Sequence, residues 1–118
     1  MADAGIFIGF GIPVRGRENQ AVESFNEAVE YFGGLVQDGT VESFEPVFLE
    51  PHGGDLSGFI LLRGEAEKLA SLRVDEEFGR LILRAQLSVE GMGVVGADLA
   101  GRIERQMAYY TEQIGALT

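Results

Sequence analysis

The single histidine of this chain, His52, sits in "LEPHGGDLSGFILLRG", between a proline and two glycines. A neutral imidazole can act as a base near neutral pH. Its neighbours, however, are what a tight connection requires: proline to end a strand and glycines to accept positive φ. The stretch therefore predicts a hairpin tip spanning residues 51–57. Five other polar residues interrupt apolar runs: Ser43 and Glu45 in "TVESFEPVFLE", Arg63 in "SGFILLRG", and Ser88 and Glu90 in "LSVEGMGVVGA". A carboxylate held in an apolar interior can accept a proton, and a guanidinium there can stabilise developing negative charge. Glu45, Glu90 and His52 are thus the candidate catalytic groups. Ser43, Arg63 and Ser88 are the candidate ligand-binding groups. The competing reading is structural, because buried charges are normally paired and strand-end side chains reach water.

Other chemistry is excluded or weak. One histidine, no cysteine and scattered carboxylates lack metal-ligand spacing, so no metal is expected. "GFGIPVRG" superficially resembles a dinucleotide loop, but Gly9 and Gly11 fall inside a strand and Pro13 intervenes. No cofactor is expected. Arg15 and Arg17 precede a helix and could hold an anion at its N-terminus. The simpler reading is that they offset an acidic surface. Tyr31, Tyr109 and Tyr110 read as helix packing residues with wet hydroxyl groups.

These residues must be positioned by a single domain, residues 1–118, long enough for one ordinary core. Nineteen acidic against nine basic residues give a net charge of −10. That charge repels phosphate backbones and anionic lipid, which disfavours nucleic-acid and membrane partners. The start "MADAG" has no basic segment, and Ile6–Val14 is too short to span a bilayer. A cytoplasmic protein is expected.

"GIFIGFGIPV" reads as a strand covered on both faces. Val22, Phe25, Ala28, Val29, Phe32 and Val36 recur at helical spacing and predict an amphipathic helix closing near Asp38–Gly39. Two strands then flank "PHGGDL". "EAEKLASLRVDEEFGRLILRAQ" predicts a short helix, a break, and a second helix capped by Asp75. Residues 87–97 predict a fourth strand. Leu99, Ile103, Met107, Tyr110, Ile114 and Leu117 predict a stripe on a last helix that docks on a globular surface.

The order is β-α-β-β-α-β plus a C-terminal helix. Right-handed crossovers make it an α+β, ferredoxin-like antiparallel sheet with helices on one face. Phe59 and Leu61 alternate with Ile60 and Leu62, so neither sheet face is polar. A second copy is expected to cover the helix-free face. Between strands two and three, a 51–57 loop pairs Phe48 with Ile60, Val47 with Leu61 and Glu45 with Arg63.

This element order, the split helix at "LASLRVDEEFGRLILRA" and the terminal helix resemble the dimeric α+β barrel superfamily over about the whole chain. The resemblance implies two ferredoxin-like subunits with sheets pressed together. That superfamily includes cofactor-independent monooxygenases, haem-degrading enzymes, isomerases and ligand-sensing domains, so fold alone does not choose an activity. Haem-degrading members typically rely on an Asn–Trp–His set, and quinone-forming members on a tryptophan with an asparagine. This chain has no tryptophan, which disfavours both. The leading expectation is a homodimeric small-molecule-binding protein with an apolar pocket between sheet and helices. The alternatives are a cofactor-independent monooxygenase- or isomerase-like enzyme on a small aromatic or polyketide-like substrate, and a structural or regulatory assembly module.

Overall fold

The computed structural model describes residues 3–118. Its elements run β1 (Ala4–Phe10), α1 (Glu18–Gln37), β2 (Ser43–Phe48), β3 (Gly58–Gly64), α2 (Ala66–Arg73), α3 (Glu76–Gln86), β4 (Gly93–Asp98) and α4 (Gly101–Leu117). The four strands form one antiparallel sheet in the order β2-β3-β1-β4. This is the ferredoxin-like α+β arrangement that the sequence pattern predicts.

Strand alternation sorts the side chains. Ala4, Ile6 and Ile8 of β1 and Ile60 and Leu62 of β3 point to one face, where α1, α2 and α3 cover them. Phe32 of α1, Leu69 and Leu72 of α2, and Phe78 and Leu81 of α3 close over that face, each at most 4% exposed. Asp75 caps α3 as expected, with Oδ2 accepting from the Glu77 and Phe78 amides at 3.0 and 3.2 Å. The opposite face carries Phe7, Val47, Phe59 and Leu61, and among the described residues no helix packs across it. Phe7 and Phe59 stack there, ring centroids 5.0 Å apart.

Three expectations need correction. The β2–β3 register is shifted by two residues: Phe48 pairs with Gly58, Val47 with Phe59 and Ser43 with Arg63. Gly58 is the reason, since a Cβ there would lie 2.6 Å from the Val47 carbonyl and 2.9 Å from the Phe10 ring. Only a residue without a side chain lets the three strands close, and the Leu49 amide then donates to Ser57 O at 2.9 Å. An even shift keeps every side chain on its expected face. Glu45 and Arg63 remain on one face, now as diagonal neighbours.

The fourth strand is also shorter than 87–97. Residues 88–90 run beside 11–14, joined by Gly11 N to Glu90 O (2.7 Å), Glu90 N to Ile12 O (2.8 Å) and Val14 N to Ser88 O (2.9 Å). Pro13 pairs with Val89 at a position that needs no amide proton, and the turn at Gly91, φ 55°, separates this bridge from β4. Lastly, no residue of α4 is buried among the described residues, so the helix does not dock its stripe as expected. No described helix is long and apolar enough to cross a membrane.

Candidate functional site

Small residues face one another where α1 crosses α3. Ala21, Ser24 and Ala28 recur at three- and four-residue spacing on α1, opposite Ala85 and Ser88 at the end of α3. Such side chains cannot fill the distance between two helices and a sheet. A cavity of about 570 Å³ results. Its floor is Ile8 and Ile60 on the sheet with Phe32 and Leu81 from the helices, and Phe10, Phe25, Ile82 and Met92 form much of its walls. Its mouth lies beside Ile12, Val22 and Phe48, which are 60–68% exposed. Phe25 and Phe48 stack at that rim with centroids 4.9 Å apart, and Phe10 meets both edge-on.

The helices are bridged outside the cavity by polar contacts where apolar packing is missing. Arg84 donates to Glu27 Oε1 through Nε at 2.9 Å and Nη2 at 2.6 Å. Arg17 donates to the Leu87 carbonyl at 2.6 Å, joining the start of α1 to the end of α3. Arg17 is therefore spent on a helix C-terminus, and Arg15 is exposed.

Among the described residues, no ionisable side chain lines the cavity; its polar groups are Ser24, Asn26, Ser57 and Ser88. Ser88 is 2% exposed, and its hydroxyl donates back to Ala85 O at 3.0 Å. Of the sequence candidates, Ser88 alone is in the wall. Ser43, Glu45 and Arg63 lie together on the helix-free face, where Arg63 Nη1 meets Glu45 Oε1 at 3.3 Å with both side chains more than a third exposed. Glu90 is exposed and takes part through its backbone. His52 is exposed in the β2–β3 loop. Gly54 N donates to its Nδ1 at 3.2 Å, so Nε2 carries the proton and donates to Leu56 O at 2.8 Å. The imidazole thereby staples its own loop. A Cβ on Gly54 would lie 2.6 Å from its ring, which accounts for that glycine.

A second, acidic region surrounds Tyr31, away from the cavity. Burial together with nearby Asp75 and Glu77 pushes the Tyr31 hydroxyl up to about 12.

Comparison with solved structures places the architecture. The chain is similar to a dimeric ferredoxin-like protein of unknown function from Bacteroides fragilis NCTC 9343 (TM-score 0.58, 9% identity, 81% of this chain and 96% of that one). It is similar to another from Jannaschia sp. CCS1 (TM-score 0.59, 16% identity, 81% of this chain and 99% of that one). It is also similar to SnoaB, a cofactor-independent oxygenase from Streptomyces nogalater (TM-score 0.53, 10% identity, 84% of this chain and 95% of that one). These likenesses show that the chain has a ferredoxin-like α+β fold. No family model matches the sequence, and no curated protein matches it.

Among the described residues, the cavity is lined by apolar side chains and a few hydroxyl and amide groups, with no constellation of charged groups. Sequence reasoning missed the cavity walls, because Phe10, Phe25 and Ile82 are the same residue types that fill cores. The available signal was the small-residue spacing at Ala21, Ser24 and Ala28 facing Ala85 and Ser88.

Proposed function

We propose that the protein is a homodimer that binds an uncharged, largely apolar small molecule in the cavity between sheet and helices of each subunit. The observation that carries this is a chamber of about 570 Å³ walled by apolar and aromatic side chains, with no ionisable group among the described lining residues. That volume is in the range of small-molecule sites. A charged group entering it would lose its hydration with no counter-ion to meet it, which costs several kcal/mol. A neutral, partly aromatic ligand loses nothing comparable and gains contact with Phe10, Phe25, Phe32 and Phe48.

The homodimer follows from the apolar, helix-free sheet face, and two structurally similar proteins are dimeric. The similarity to SnoaB, a cofactor-independent oxygenase, supports a second reading in the same chamber: dissolved dioxygen oxidises an electron-rich aromatic substrate, which itself supplies the electrons. In that reading the walls orient the substrate and exclude water. Glu45, Glu90 and His52 lie outside the chamber, so the proton is taken by the substrate's own groups or by solvent at the mouth.

The binding reading is tested by titration with the neutral dye N-phenyl-1-naphthylamine, whose emission rises in apolar surroundings. The chain has no tryptophan to interfere. We expect one dye per chain with saturation in the micromolar range, and at least tenfold weaker binding of its anionic sulfonated analogue. No saturable binding, or equal binding of both, contradicts the reading.

A further inference from the structure

We propose that α4 is a dimerisation arm, its apolar stripe covered by a second copy of this chain in one interface continuous with the helix-free sheet face. The inference rests on the homodimer reading above. Ile103, Met107, Tyr110, Ile114 and Leu117 repeat at four- and three-residue spacing along α4, and each is at least 50% exposed. An amphipathic helix in a globular protein draws most of its stability from packing that stripe. Among the described residues, nothing buries that stripe on α4. It stands away from the body: the radius of gyration is 16.3 Å, against about 13.5 Å for a compact chain of this length.

Three observations point to a second copy as the occupant. The first is continuity. Leu99, at the root of the stripe, lies over Gly5 on the helix-free face; a Cβ on Gly5 would be 3.2 Å from Leu99 Cδ1. A copy seated on that face meets the root of α4 directly. The corner between β4 and α4 is set, with Ala100 at φ 47° and Arg102 Nε bound to Asp98 Oδ1 at 3.0 Å, so the arm leaves in a fixed direction.

The second observation is area. Four strands about 4.8 Å apart and six residues long give a sheet footprint of roughly 400 Å². A standard interface buries about 800 Å² of accessible surface per partner, and a helix beside the sheet adds to the area that the face supplies. Seventeen residues of helix add a strip about 25 Å long and 10 Å wide. Two-fold symmetry counts both arms in the same interface.

The third observation is charge. The chain carries −10, so two copies repel over most of their surface. On α4 the acidic excess vanishes, because Arg102 and Arg105 balance Glu104 and Glu112. The arm is where two like-charged copies can approach.

The experiment compares dimer dissociation constants, by sedimentation equilibrium, for the wild type, Met107→Asp, Ile114→Asp, Leu61→Asp and Ala116→Asp. Ala116 is on the opposite side of α4 and adds the same charge. We expect Met107→Asp and Ile114→Asp to weaken the dimer at least 30-fold and Ala116→Asp to change it less than threefold. If Leu61→Asp breaks the dimer while the two stripe variants dissociate like the wild type, the arm inference fails and the sheet-face dimer stands. A wild type that is monomeric at 100 μM sinks both. A second readout avoids disruptive substitution: with no native cysteine, Ile114→Cys supplies a unique thiol. Its alkylation should slow at least tenfold above the dimer dissociation constant. An unchanged rate overturns the arm.

Discussion

Replacing Ala28 by leucine should make the protein more stable and its ligand site weaker. Ala28 lies on α1, half-buried, with its side chain in the cavity wall. Leucine adds three carbons to a space of about 570 Å³, so they enter without displacing neighbours. Burying them is worth about 0.8 kcal/mol each, or roughly 2.4 kcal/mol. Restricting the leucine side chain costs about 0.5–1 kcal/mol, and the lower helix propensity about 0.2 kcal/mol. The net expectation is a stabilisation of about 1–2 kcal/mol. Equilibrium urea unfolding measures it as a higher midpoint at unchanged slope. In parallel, affinity for the neutral dye should fall at least tenfold, because the leucine occupies its place. The sign is what discriminates. In a filled core the same substitution overpacks and destabilises by about 1–3 kcal/mol. A destabilised Ala28→Leu protein, or one that binds dye as before, refutes the cavity.

Further outcomes follow from the same geometry. His52→Ala should change stability by no more than about 1 kcal/mol, as at other exposed sites. Gly54→Ala should cost more, and adding His52→Ala to it should recover part of that loss in a double-mutant cycle, because the clash is with the imidazole itself. Glu45→Gln should cost about 0.2–1 kcal/mol in dilute protein, since both partners are more than a third exposed. For Tyr31 the hydroxyl is raised, so the neutral form is the one the fold favours. Its contribution is full below pH 10 and is lost as pH rises through about 12. Absorbance titration at 295 nm should show tyrosinate forming late, and Tyr31→Phe should remove that late step. Asp38 moves the other way, held low first by the Thr40 hydroxyl and then by the Thr40 amide. Its contribution is present above the unfolded carboxyl range and lost as pH falls through the folded one. Asp38→Asn should therefore flatten the acid limb of a stability profile.

How much of this was legible in the sequence depends on how local the cause is. Element order, the Asp75 cap and the break before α3 are set by residues close together in the chain, and they read correctly. The sharing of one face by Glu45 and Arg63 also survived, because strand alternation has period two. The pairing register did not. It is fixed by three-strand crowding at Gly58, which only the β1 neighbour Phe10 reveals. The start of β4 was misjudged because the backbone turns at Gly91, φ 55°, which splits residues 88–90 from the strand proper. The stripe on α4 was visible, but the surface that would cover it is not on the same chain. Site residues were the least legible, since the eye goes to His52 and the odd charges. The chamber instead arises from what is missing, methylene groups absent at Ala21, Ala28 and Ala85.

The central claim, a neutral ligand held between sheet and helices, is tested most directly by isoleucine methyl NMR during titration with N-phenyl-1-naphthylamine. Ile8, Ile12, Ile60 and Ile82 line the cavity, while Ile6, Ile103 and Ile114 are outside it. The expected result is saturable shifts of the first four methyls, with the other three unmoved. Shifts confined to Ile103 and Ile114 would place the dye on α4 and contradict the cavity as the binding site.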